Sequence, residues 1–129
     1  KTQNFMGVAT NDEFTGTQAG YCDDWGASHI REVRLKHTEL MVRDEIAGFS
    51  DKAILRWRLP LGEWDMVKHD DELIVTGKAL KIVVTADMSI SHCDIVDGWE
   101  STRYLEKTQC PVLEVEVNNP GCLTTILQW

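Results

Sequence analysis

No apolar run in this chain is long enough to cross a bilayer, which excludes a helical membrane span. Positive charge is scarce. Thirteen Lys and Arg stand against 21 Asp and Glu, for a net charge of −8, and no basic stripe gathers the few cations. That balance argues against nucleic acid as a partner. It also suits a polyanionic sugar badly unless the cations cluster locally. The phosphate-cradling loop, the dinucleotide fingerprint, HExxH and GxSxG are all missing, so no nucleotide, zincin or serine-hydrolase chemistry announces itself. No segment has the apolar spacing of an amphipathic helix. Repeats, low-complexity tracts and linkers are absent, so residues 1–129 read as a single domain. The chain opens at Lys1 without a start methionine or signal sequence, and we expect a piece of a longer polypeptide.

Cysteine pattern is lacking too. Cys22, Cys93, Cys110 and Cys122 contain no CxxC, and the sequence chooses none of their possible pairings. A core of this size does not need staples, so free, buried thiols are the plain reading. His92 and Cys93 are adjacent and would point to opposite faces of a strand, so neither a zinc site nor any other cofactor is expected.

What is present is alternation. HIREVRLKHTELMVRDEI, residues 29–46, reads as two strands joined by a tight turn at His37-Thr38. Placing Lys36 opposite Glu39 sets Leu35 against Leu40, Val33 against Val42, Glu32 against Arg43 and Arg31 against Asp44. Apolar meets apolar and opposite charges meet, as cross-strand pairing rewards. A slip of one residue would turn every side chain to the wrong face. His-Thr lacks the Asn-Gly chemistry of short hairpin loops, so a wider loop with the same register stays open. Arg31 and Asp44 share the face of Val33, Leu35, Leu40 and Val42, and His29 extends that row. Two accounts fit. One is an ion pair at a strand end or between layers, which is the plainer. The other is a groove wall where Arg31 and His29 meet an anionic ligand.

The remaining chain supplies about ten short strands at the turn spacing of an antiparallel all-β sandwich. NFMGVAT is a candidate strand. Residues up to Ser28 then read as a long loop with a short strand near Gln18–Cys22, whose carboxylate pairs match no calcium loop. AILRWRL sets Ala53, Leu55, Trp57 and Leu59 on one face and Ile54, Arg56 and Arg58 on the other. Pro60 ends it, since proline cannot donate to a ladder. Arg56 and Arg58 read as a wet outer face or as a positive strip for acidic sugar. EWDMVKHDDELIVTGKALKIVVTAD holds two or three strands, with Leu80, Ile82 and Val84 facing a core and His69 in an exposed turn. MSISHC is a further short strand, GWESTRYLEKTQ follows it, and PVLEVEV alternates again. Asn118-Asn119-Pro120-Gly121 is a strong turn before the strand CLTTILQW.

No carboxylate pair is marked as a glycosidase pair, because that pairing is a distance across a cleft. Tyr21 and His29 as base and acid rest on nothing but nearness along the chain. Five tryptophans are more informative. Trp57 falls on an apolar row and reads as core, whereas Trp64 and Trp99 follow glycine-containing turns. An indole face packs on a core or stacks on a sugar ring.

Two segments resemble a known family. HIREVRLKHTELMVRDEIAGFSDKAILRWRLPLGEW resembles the part of heparinase II/III-like polysaccharide lyases where an H-x-R strand precedes a strand ending in an acidic pair, a glycine and an Arg-Trp-Leu-rich strand. GWESTRYLEKTQCPVLEVEVNNPGCLTTILQW is similar to that family's closing strands. Order and spacing agree over about residues 17–129. The family commonly has glycine after the tyrosine, where this chain has Leu105.

The resemblance implies the C-terminal β-sandwich of a larger enzyme that cuts uronic-acid polysaccharides by β-elimination. It implies an N-terminal α/α toroid of the same chain as partner, an acidic polysaccharide as substrate, and a periplasmic or secreted location. The toroid's catalytic groups map onto nothing in this sequence, so no catalytic residue is assigned. His29, Arg31 and Tyr104 are the residues expected nearest the polysaccharide. The alternatives are a free-standing carbohydrate-binding module that stacks sugar on Trp64 or Trp99, and, less favoured, a small self-contained hydrolase or lyase.

Overall fold

The computed structural model describes residues 4–9, 13–22, 26–104 and 106–129, with side chains described for 26–99, 104 and 106–129. Eleven strands form two antiparallel sheets, and no helix occurs among the described residues. Strands β1 (Asn4–Ala9), β2 (Glu13–Cys22), β3 (Ser28–Lys36) and β4 (Glu39–Ala47) run as one meander. Strands β6 (Asp65–His69), β7 (Glu72–Thr76) and β8 (Lys81–Ala86) run as another. Strand β11 (Gly121–Gln128) pairs with β4 on one side and β8 on the other, so the large sheet has the order β1-β2-β3-β4-β11-β8-β7-β6. The second layer is β5 (Ala53–Arg58), β10 (Glu106–Val117) and β9 (Ile90–Arg103), with β10 in the middle.

The β3–β4 register is the one the charges demand. Lys36 pairs with Glu39, Val33 with Val42, Glu32 with Arg43 and Arg31 with Asp44. The hairpin turns on His37-Thr38 after all. At its far end, a side chain on Gly48 would run into the carbonyl of Gly26, and the backbone there has φ +74°, a value that suits glycine. Asp70 tolerates a positive φ in the tight turn from β6 to β7.

Two segments depart from expectation. The strand expected near Gln18–Cys22 begins at Glu13 and pairs with β1 as well as β3. MSISHC and the segment after it are one strand that runs on to Arg103, and β10 starts at Glu106 rather than Pro111. Strand β9 carries polar residues such as His92, Asp94 and Asp97. They are tolerated because β9 is an edge strand of the small sheet. The Asp12-Glu13 and Asp23-Asp24 carboxylates and Cys22 lie outside the described side chains. Cys93, Cys110 and Cys122 are free thiols, with Cys110 buried and the other two half-buried.

The core lies where the two layers face. Leu73 and Val75 of β7, Ile82 and Val84 of β8 and Leu123 of β11 meet Leu113, Val115 and Val117 of β10. Each is essentially sealed from solvent, and every second residue along a strand supplies the contact. Burial of such a side chain stabilises the fold by roughly 1.5–3 kcal/mol.

Candidate functional site

Pairing across the large sheet arranges its inward side chains in rows. One row is Val33, Val42, Thr125, Val84 and Leu73. The next is Arg31, Asp44, Leu123 and Ala86. The second row begins ionic and ends apolar. Asp44 therefore sits inside the sandwich, 1% exposed, among residues that would otherwise make an oil-like interior.

An isolated carboxylate at such a depth is strongly unfavourable unless it is paired and hydrogen-bonded. Asp44 is both. His29 Nε2 lies 2.6 Å from Oδ1, Arg31 Nε donates to Oδ1 at 2.6 Å, and Arg31 Nη2 donates to Oδ2 at 3.2 Å. Burial pushes the Asp44 carboxyl up, but the His29 and Arg31 hydrogen bonds and the attraction of their charges outweigh it, so Asp44 titrates below its usual range. Among the described residues, no buried side-chain nitrogen or oxygen lacks a partner.

The opposite layer closes the cluster. Arg31 Cζ lies 5.2 Å from the centre of the Trp57 ring, within the range of a cation–π contact. Trp57 Nε1 donates to the buried hydroxyl of Thr125 at 3.2 Å. The indole is thus held from both ends, between the guanidinium of β3 and the hydroxyl of β11. Trp57 comes from β5, an edge strand of the small sheet, so the second layer stops there. His29 and Arg31 consequently reach solvent, with 38% and 31% of their side chains exposed.

Chemically, Asp44 fixes His29 by Nε2, and Nδ1 has no partner among the described residues. Arg31 keeps guanidinium N–H groups that Asp44 does not use. The arrangement can offer hydrogen bonds to an anion at the rim of the sandwich. Among the described residues, no group of three or more His, Cys, Asp and Glu is placed to hold a metal.

His29 and Arg31, singled out from sequence, are brought together on one carboxylate. Tyr104 stands apart, 91% exposed in the turn from β9 to β10 of the other sheet. Trp57 and Thr125 were not singled out for the site. Their signal was present, since Trp57 alternates inward on the strand that faces the ionic row. The other tryptophans divide. Trp64 donates to the Pro60 carbonyl at 2.9 Å and lies on Gly77, with its ring lining a groove of about 600 Å³. Trp99 is 60% exposed.

No protein-family model matches the sequence, and no curated protein matches it. Solved structures do. A heparinase III structure superposes with a TM-score of 0.69 at 16% identity, covering 96% of this chain and 21% of that one. Heparan sulfate lyase HepC from Pedobacter heparinus gives a TM-score of 0.68 at 14% identity, covering 98% of this chain and 21% of that one. The chain shares its fold with one segment of these lyases. It spans about a fifth of their length. The sandwich expected from alternation and from the resemblance is the sandwich observed.

Proposed function

We propose that the chain is the C-terminal β-sandwich domain of a larger heparinase II/III-like polysaccharide lyase that cleaves uronic-acid polysaccharides by β-elimination. The observation that carries this reading is the asymmetry of coverage. Nearly all of this chain matches a fifth of each lyase. A second fact supports it. The one buried ionic cluster among the described side chains ties β3 to β4 and sets Arg31 against Trp57 of the other sheet, which gives Asp44 a structural use.

In this reading the reacting groups come from polypeptide outside these residues. The sandwich packs beside them and presents His29 and Arg31 at its rim. Tyr104, on the β9–β10 turn, is a further contact point for substrate. A guanidinium suits the planar carboxylate of a uronate or the oxygens of a sulfate.

The test is to mix the purified 129-residue chain, and separately a polypeptide extended upstream along its reading frame, with heparan, alginate and pectate. β-Elimination leaves a carbon–carbon double bond at the new non-reducing end, and its absorbance reports each cut. The extended polypeptide is expected to produce it and the 129-residue chain is not. Absorbance growth from the short chain alone would overturn the assignment.

A further inference from the structure

The outer face of the large sheet should be polar, because the small sheet packs on its other side. One row of it is not. The registers set Met41 of β4 beside Ile126 of β11, Ile126 beside Val83 of β8, Val83 beside Ile74 of β7 and Ile74 beside Val67 of β6. Five neighbouring strands thus place an apolar side chain on one line across the sheet, about 20 Å long at the usual strand spacing. Arg34 of β3 extends the line at one end. The line faces outward, because Met41, Ile126, Val83 and Ile74 are each next in sequence to a sealed residue, Val42, Thr125, Val84 and Leu73. Val67 is 62% exposed and the other four are half-buried.

The rows on either side are charged. One carries Glu32, Arg43, Glu72 and His69, and the other carries Lys36, Glu39, Lys81 and Asp65. Threonines and a glutamine fill the places between. Lys36, Arg43, Asp65 and Glu72 are exposed and make no ion pair among the described residues. An apolar line between two rows of unspent charge has the layout of an interface, with a dry middle and a polar rim.

We propose that this face binds the same face of a second copy of the chain. The charge pattern is complementary to itself. A twofold axis that runs along the strands between β11 and β8 lays Ile126 on Val83 of the second copy and Met41 on its Ile74. Arg43 then meets Glu72, Lys36 meets Asp65 and Glu32 meets His69, and each pair forms twice, as a closed twofold contact requires. In these three rows no like charges face each other. A twofold axis along the apolar line would instead set Arg34 on Arg34, so the strand-wise axis is the one the charges select. Two sheets stack in this way about 10 Å apart with their strands nearly aligned. Three rows on six strands make a small contact, below the roughly 1,200 Å² at which standard interfaces begin, so the dimer is a weak one. The symmetry is drawn from the strand registers alone, so failure of the lyase reading would leave it standing.

Sedimentation equilibrium of the 129-residue chain is the test. At about 0.15 M salt the Debye length of about 8 Å screens the long-range repulsion between two chains of net charge −8. The average mass is expected to rise from the monomer value toward twice that value between micromolar and millimolar concentration, and to stop there. Arg43→Glu and Glu72→Arg are each expected to weaken the dimer about tenfold, because like charges then meet in both symmetry-related pairs. The variant carrying both substitutions is expected to recover the wild-type affinity. Both positions are exposed, so the variants should keep the wild-type fold. A mass that stays monomeric at every concentration overturns the proposal. So does a double variant no tighter than the single ones, or association that no variant alters. A polypeptide extended upstream that stays monomeric where the 129-residue chain pairs would give this face to its added residues. The proposal then falls while the lyase reading stands.

Discussion

The middle of the sandwich and its β5 edge are built on the same rows of the same sheet, yet they hold together by different physics. Under β10, the rows of β7, β8 and β11 end in Leu, Val and Ile, and Leu113 is 0% exposed against them. Two strands away, the same row carries Asp44 and Arg31 beneath Trp57. The difference follows the reach of the second layer. Where β10 seals the sheet from both sides, apolar burial suffices. Where β5 is the final strand of that layer, water reaches His29 and Arg31, and an ion pair within the large sheet holds Arg31 against Trp57 of the small one. A charged row is tolerable at a border because its cations keep one end in solvent.

This contrast can be tested by substitution, and urea unfolding is a suitable measure throughout. Leu113→Ala should have the largest effect, a loss of about 4 kcal/mol, because a sealed Leu leaves both a transfer loss and a cavity. Asp44→Ala should lose somewhat less, about 3 kcal/mol, because the Arg31 and His29 side chains it strands can still turn toward water. Replacing the cluster by His29→Leu, Arg31→Met and Asp44→Leu together should recover most of that loss if its work is only to join the layers. A triple variant no more stable than Asp44→Ala would erase the distinction between the two regions.

Acid sharpens the comparison. The Asp44 carboxyl titrates below its ordinary value of 3.8 in the folded state. Its stabilising contribution is therefore complete above that value and drains away as pH falls through the lower folded value. The stability gap between wild type and Asp44→Asn should close on acidification, whereas the Leu113→Ala deficit should persist. A gap that stays constant down to the acid limit would contradict the pairing. The smallest internal effect should come from Trp57→Phe, about 1 kcal/mol, as the hydrogen bond to Thr125 is lost and the contact with Arg31 weakens. Arg56→Ala is a surface control and should change stability by no more than about 0.5 kcal/mol, since its pair with Glu114 is exposed.

The β3–β4 hairpin was fully legible because two independent patterns, apolar alternation and charge complementarity, selected one register. Asp44 was legible for the same reason, since a charge on an apolar row demands a partner and Arg31 lay directly opposite. Strand β9 was legible only at its start, in MSISHC, and not beyond it. Its carboxylates and glycine carry the local signature of turns, and only its edge position makes them harmless. The second layer was half legible, because Arg56 and Arg58 alternate with Trp57 in the sequence, but the order β5-β10-β9 that seats Glu114 beside Arg56 is encoded in no local pattern. The Asn118–Gly121 turn was expected, though not its path. It carries the chain out of the small sheet and into the large one.

That path has a kinetic consequence. Strand β11 stitches together two meanders that otherwise share no backbone ladder among the described strands. A nascent polypeptide that has emerged only as far as Pro120 holds both meanders with facing, unpaired edges at β4 and β8. Such edges invite pairing with neighbouring chains. The sandwich can close only after its final eight-residue strand has cleared the ribosome, so synthesis stalled or cleaved before that point should yield aggregate rather than a smaller domain.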